Sequence, residues 1–497
     1  MRRLPSLALA AYLVSASVSS FADDVARNSV VKITATLRTP DPFRPWMKQP
    51  PREVSGTGVV IRDKRILTNA HVILYASQVQ VQPFHSSNKL DASVMAVAPG
   101  IDLASLKLED ESFFDSHPPL ATNPVLPKER DEVSVYGYPV GGSDLSVTRG
   151  IISRIEFSPY SYLTNGLRIQ VDAALNPGNS GGPALVGDRM VGIALSRLSN
   201  AERIGYIIPT EEVELFLGDI GDGKYDGKPA LIDELQILEN PALRGKFGIA
   251  EATKGVLVRK PFGRDGDSPL KAGDVISRIG EQPLDNAGMV RVDDHPLHFK
   301  YLVQKEARDG HLGLTVRRGG EELKVSVPVG PGREKWLTPY LMGGDLSYFI
   351  YGPLAFTEST DEYVRILYEL KGAPLTLSFQ GNPLVTRYGD RPTFEGERLV
   401  IVPHPMFPHR IGRGYQNPFM QAVESVNGVR IRNLKHMVET LRDLTGDYAE
   451  FRFLGNKTDV IVFKHDEALR TTEEILSDNG IRQRSSADLA AVWKESK

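Results

Sequence analysis

The stretch Asn176-Pro177-Gly178-Asn179-Ser180-Gly181-Gly182-Pro183 decides the reading of this sequence. A serine flanked by glycines on both sides sits in a turn too tight for ordinary side chains. Such a turn can aim backbone N–H groups at one point, as the oxyanion of an acyl-transfer reaction requires. The N–H groups of Gly178 and Ser180 are the natural pair. A serine hydroxyl is a weak nucleophile at neutral pH. It needs an imidazole to take its proton and a carboxylate to fix that imidazole's tautomer. Upstream, Leu67-Thr68-Asn69-Ala70-His71-Val72 and Asp102-Leu103-Ala104 supply both. The order His71, Asp102, Ser180 is that of one of the three known arrangements of such a triad.

Around these segments, residues 25–217 carry many short strand patterns separated by turn signals, which argues for barrels or sandwiches. The loop Thr39–Arg52 interrupts the first of them. Gly218–Lys228, with four glycines, reads as a linker. Two further units follow, at 229–330 and 340–470. They repeat an order of elements, with a helix near Leu297–Ala307 in the first and Leu434–Asp443 in the second, each followed by two strands. Residues 471–497 form a polar tail.

The chain has 497 residues, too many for one core, and no cysteine, which excludes disulfides, thiol catalysis and cysteine-bound zinc. A net charge of −3 without a long basic run gives no basis for nucleic-acid binding. No apolar run is long enough to span a membrane. Arg2 and Arg3, the apolar block Leu7–Val14 and Ser20-Phe21-Ala22 read as a signal peptide over residues 1–22. With no cysteine, secretion points to a bacterial periplasm. The loop His404-Pro405-Met406-Phe407-Pro408-His409 lacks a third ligand and reads as a turn rather than a metal site.

Six colinear motifs carry a resemblance: Ser55–Ile61, Leu67–Val72, Asp102–Ala104, Gly137–Gly142, Thr148–Ile152 and Asp172–Pro183. Residues 25–330 resemble the HtrA/Deg family of serine proteases. Asn240–Arg244 and Val426–His436 give the C-terminal half a weaker likeness to its plant-type branch. The resemblance implies an all-β, trypsin-like double β-barrel protease domain at 23–218, followed by two α+β PDZ-like domains. It implies His71 as general base, Asp102 as its orienting partner and Ser180 as nucleophile. It places Leu175, Ile193 and Leu195 near the primary pocket, where no acidic residue appears, so aliphatic side chains are expected at the cleaved bond. It further implies unfolded polypeptides as substrates, no cofactor, peptide ligands for the PDZ domains, and a homotrimer or a multiple of one. Asp233 and Glu234 stand where a PDZ carboxylate-binding loop normally has glycine. Two alternatives remain: a peptide-sensing scaffold with a latent protease, and a site-specific regulatory protease.

Overall fold

The computed structural model describes residues 23–142, 144–160, 164–195, 204–262, 268–293, 295–331, 336–455 and 459–494. The expected signal peptide, residues 1–22, lies outside them. The chain forms two compact units: Met1–Leu37 with Arg52–Glu334, and Arg38–Pro51 with Lys335–Lys497.

The first unit begins with two closed six-stranded barrels. Strands β1 (Val30–Leu37), β2 (Arg52–Ile61), β3 (Arg65–Thr68), β4 (Ala76–Pro83), β5 (Leu90–Ala98) and β6 (Leu103–Leu108) close in the order β1-β2-β3-β6-β5-β4. Strands β7 (Glu132–Gly137), β8 (Ser146–Pro159), β9 (Asn165–Val171), β10 (Pro183–Val186), β11 (Arg189–Leu195) and β12 (Gly205–Pro209) close as β10-β11-β12-β9-β8-β7. Full closure leaves no open sheet edge. β1 shows why these sequences form barrels: Val31, Ile33, Ala35 and Leu37 alternate inward at period two and are buried.

The same unit continues into a sheet of strands Glu234–Ile237, Val256–Lys260, Val275–Ile279, His311–Arg318 and Glu321–Pro328, in that order, with the helix Lys300–Glu306 against it. Glu234–Ile237 is an edge strand. Asp233 Oδ1 accepts from Phe262 N at 2.8 Å, and Glu234 pairs with Arg259.

The glycine-rich stretch expected to be a linker is tied down instead. Lys228 is buried, with its ammonium 2.7 Å from Glu212 Oε2 and 2.9 Å from Asn165 O. Glu212 Oε1 accepts from Leu167 N at 2.8 Å and from Gln304 Nε2 at 3.1 Å. One apolar cluster runs from Val135, Ile155 and Leu167 of the second barrel to Val256, Leu297 and Leu302 of the sheet domain. Barrel and sheet domain therefore share a core.

In the second unit, strands Tyr348–Tyr351, Leu354–Glu358 and Val400–Ile401 form one sheet, and Val423–Val426, Val429–Arg430, Tyr448–Phe453 and Ile461–Lys464 another. The helix Leu434–Arg442 buries Leu434, Met437, Val438 and Leu441, an i, i+3, i+4, i+7 stripe. Before the second sheet this unit also contains the helices Asp361–Glu369 and Ala373–Phe379. The polar tail is helical: His465–Asp478 spans the expected domain end at 470, and Ala487–Lys494 follows.

Thr39–Arg52, expected as a loop of the first lobe, belongs almost wholly to this second unit. Asp41 Oδ1 accepts from Phe43 N and Arg44 N, which closes a turn. The turn presents Phe43 to Tyr363 and Phe419, and Trp46 to Tyr348, His404 and Phe407.

Candidate active site

His71 lies on a single helical turn, Ala70–Ile73, directly after β3. Asp102 ends the short 3₁₀ turn Pro99–Ile101, just before β6, which pairs with β3. Strand pairing thus brings together two residues far apart in sequence. Asp102 has φ of 55°, in the left-handed region that aspartate tolerates better than most residues. Its carbonyl is held in that conformation by Asn69 Nδ2 at 2.9 Å and Ala70 N at 3.2 Å. Its carboxylate faces His71: Oδ2 is 2.7 Å from Nδ1, and Oδ1 accepts the His71 backbone N–H at 2.9 Å. With Nδ1 engaged, the other ring nitrogen is left for proton transfer.

Ser180 is supplied by the second barrel, on the turn before β10. Gly178 has φ of +101° and Gly181 of +87°. A Cβ at Gly178 would collide with Tyr138 O, and one at Gly181 with Thr57 O. Both glycines are therefore required by conformation and by close approach. Pro177 O accepts from Val140 N at 2.9 Å. Because a trans peptide turns its N–H opposite to its C=O, the Gly178 N–H faces away from Val140.

His71 and Ser180 line one open cleft of about 800 Å³. Gly178, Pro177 and Val140–Gly142 come from the second barrel; Lys32, Thr34, Arg52–Ser55, Val72, Gln82 and Lys89 come from the first. The three residues expected at the primary pocket are core or partly buried side chains. Ile193 is fully buried and Leu195 is 8% exposed, both in the core with Tyr138 and Tyr206. Leu175 is partly buried, packed against the second-barrel core and over Gly205. None of the three is in the cleft lining among the described residues. The contributions of Lys32, Arg52, Gln82 and Lys89 were missed in the sequence, because they stand outside every motif: in β1, at the start of β2, in β4 and in the loop before β5.

His404 and His409 have separate partners. His404 packs between Trp46 and Phe407, and His409 Nε2 lies 3.0 Å from Glu474 Oε2. Among the described residues no helix is long and apolar enough to cross a membrane.

The trypsin-like peptidase domain family matches residues 56–193, and the PDZ domain family matches 339–488. Protease Do-like 2, chloroplastic, of Arabidopsis thaliana is 36% identical over 471 residues, covering 93% of this chain and 75% of the relative. Protease Do-like 4, mitochondrial, of the same plant is 32% identical over 485 residues, covering 95% and 87%. Among solved structures, the HtrA-type protease AlgW with decapeptide aligns with 64% of this chain and 99% of its own, at 24% identity and a TM-score of 0.47. By domain content and by relatedness along nearly its whole length, the chain belongs to the Do-like, or HtrA/Deg, family of serine proteases.

Proposed function

We propose that this serine endopeptidase degrades unfolded polypeptides without ATP, through an acyl-enzyme on Ser180. The observation that carries the proposal is His71, braced by both oxygens of Asp102, in one cleft with Ser180. Ser180 Oγ attacks the scissile carbonyl as His71 takes its proton. The oxyanion forms at the N–H groups of Gly178 and Ser180. Collapse expels the amine, which receives the proton from His71. Water, activated by the same imidazole, then hydrolyses the ester. No cofactor enters these steps. Of the three residues expected at the primary pocket, Leu175 retains exposed surface for an aliphatic substrate side chain.

We further propose that residues 229–330 and 340–470 act as PDZ domains that hold peptide segments by strand addition, and that the protein assembles as a homotrimer or a multiple of one. Residues 1–22 serve as a cleaved export signal, leading to a periplasmic location. A second reading, organelle import, is favoured by the chloroplastic and mitochondrial names of the relatives.

The test is digestion of casein in ATP-free buffer by wild type and Ser180→Ala, with both proteins sized by sedimentation. Casein cut by wild type and spared by Ser180→Ala supports the proposal. Cutting by Ser180→Ala removes the assigned nucleophile. Cleavage of one protein substrate with casein untouched replaces general degradation by a site-specific role.

A further inference from the structure

Thr57, in β2 of the first barrel, is fully buried and touches the nucleophile loop of the second barrel repeatedly. Its backbone N–H donates to Ser180 O at 2.9 Å. Its own carbonyl accepts from Thr68 Oγ1 at 2.7 Å and is what leaves no room for a side chain at Gly181. Its hydroxyl bridges two further groups: it donates to Gly178 O at 2.7 Å and accepts from Tyr138 N at 2.8 Å. A hydroxyl has one proton to give, so these bonds fix where it points.

We propose that Thr57 is the positioning residue of the oxyanion hole. Its hydroxyl holds the Gly178 carbonyl inward, and so sets the pitch of the Gly178–Ser180 turn whose N–H groups receive the oxyanion. The inference rests on the assignment of Ser180 as nucleophile.

The loop needs such a pin. Glycines at 178 and 181 remove the steric barrier that would otherwise keep the turn in one conformation. Backbone bonds within the second-barrel half restrain it, among them Val140 N to Pro177 O at 2.9 Å, and Asn179 N to Asn176 O, Gly182 N to Asn179 O and Gly181 N to Ala194 O, each at 3.0 Å. None of them engages the Gly178 carbonyl. That group is held by a side chain from the other barrel, the barrel that also carries His71 and Asp102. One hydroxyl thereby registers the oxyanion turn against the base.

The consequence is specific. Without the hydroxyl, Gly178 O and Tyr138 N–H lose their partner in a buried place. Rotating the peptide that follows Gly178 relieves this, and it shifts the donors away from the developing charge. Ground-state binding of a peptide uses other surfaces of the cleft, so kcat should fall while KM holds. Removing a whole oxyanion donor costs about 10²–10³-fold in other enzymes. Misaligning one should cost roughly 10–100-fold.

The experiment compares full-length wild type, Thr57→Val, Thr57→Ala, Thr57→Ser and Ser180→Ala on one chromogenic peptide. It also measures inhibition by a peptidyl boronic acid, whose tetrahedral adduct mimics the intermediate, and thermal melting. The expected result is a kcat loss for Thr57→Val with unchanged KM, a parallel loss of boronate affinity, and recovery to within about threefold in Thr57→Ser. Thr57→Ala is read by the same criteria if Thr57→Val does not fold. A hydroxyl-free variant that melts as a folded protein with kcat within twofold of wild type overturns the proposal. So does a loss that falls on KM, or one that Thr57→Ser shares in full. Turnover by Ser180→Ala is a distinct failure: it removes the nucleophile assignment and the inference with it, whatever the Thr57 variants do.

Discussion

Asp102 meets His71 with both carboxylate oxygens, Oδ2 at 2.7 Å from the ring Nδ1 and Oδ1 at 2.9 Å from the backbone N. The backbone bond fixes the carboxylate plane, so the second oxygen cannot swing away from the ring. Asp102→Asn keeps the shape and one acceptor. Keeping the carbonyl oxygen on the His71 N–H turns the amide NH₂ toward Nδ1. The ring then carries its proton on the other nitrogen and cannot accept one from Ser180. The expected loss in kcat is about 10⁴-fold, with melting temperature nearly unchanged. Peptide kinetics settle it: activity within tenfold of wild type means another group orients His71.

Lys228 and Glu212 give a second expectation. The pair is buried, and the ammonium's pKa is pulled down by burial against the pull of the Glu212 charge. Removing one partner of a buried pair costs more than the pair contributes, because the other charge stays inside unpaired. Lys228→Met should destabilise the first unit by about 3–5 kcal/mol. Adding Glu212→Gln should recover part of that loss, since a neutral amide can still accept from Leu167 N. Urea denaturation of the single and double variants checks this, and a double variant weaker than the single would refute it. Truncation after Asp219 removes both Lys228 and Gln304 and opens the shared core, so the isolated barrels should aggregate rather than fold as a free protease.

The cleft predicts a charge preference. Lys32, Arg52 and Lys89 line it beside one acid, Glu53. Lys32 is already held, donating to Gly142 O at 2.8 Å, while its charge remains at the cleft wall. Exposed charge pairs contribute roughly 0.2–1 kcal/mol each. Peptides with Asp or Glu flanking the scissile bond should therefore show kcat/KM about 3–10-fold above Lys or Arg counterparts. The ratio should shrink as salt rises, because the pairs are screened. Lys89→Glu should flatten it. Library profiling at low and high salt measures both, and a ratio indifferent to salt and to Lys89→Glu would count against it.

The sequence marked the proposed nucleophile loop and its proposed base and acid because each needs particular residue types at fixed places: glycines at 178 and 181, where φ is positive, and His71 and Asp102 beside paired strands. The barrels were legible from alternation such as that of β1. Three features were hidden for physical reasons. The glycines of Gly218–Lys228 suggest a flexible linker, but one buried lysine bonded to a distant glutamate overrides local composition. The Arg38–Pro51 excursion packs with residues more than 300 positions away, and no local pattern encodes such a partner. In β11, Ile193 and Leu195 share a strand face, and nothing local says whether that face meets a core or a substrate.

That excursion carries the last prediction. His404 stacks against Phe407, with centroids 4.9 Å apart, and meets the edge of Trp46 at 5.2 Å. Burial lowers its pKa from the usual 6.5, with the Pro405 carbonyl, 2.6 Å from Nδ1, acting in the opposite direction. Arg44 repels the charged ring and Asp41 attracts it, the smaller influences. In the unfolded chain His404 titrates near 6.5, and in the folded unit it does so lower. Between those values the unfolded state binds more protons, so stability rises with pH. The contribution is complete above about pH 6.5 and is lost as pH falls through the folded-state value. All three tryptophans, Trp46, Trp336 and Trp493, lie in the second unit, so intrinsic tryptophan fluorescence reads its unfolding alone. Urea midpoints followed this way should fall between pH 7 and pH 5, about neutral to mildly acid. His404→Phe keeps the aromatic packing and removes the titration, so its midpoint should fall less over the same range. Trp46→Ala should lower the midpoint at both pH values and narrow the difference between them, because without the indole the ring gains solvent and its pKa returns toward normal. If His404→Phe follows the wild-type pH dependence unchanged, another group governs it, and His436, whose pKa burial also lowers, is the next to replace.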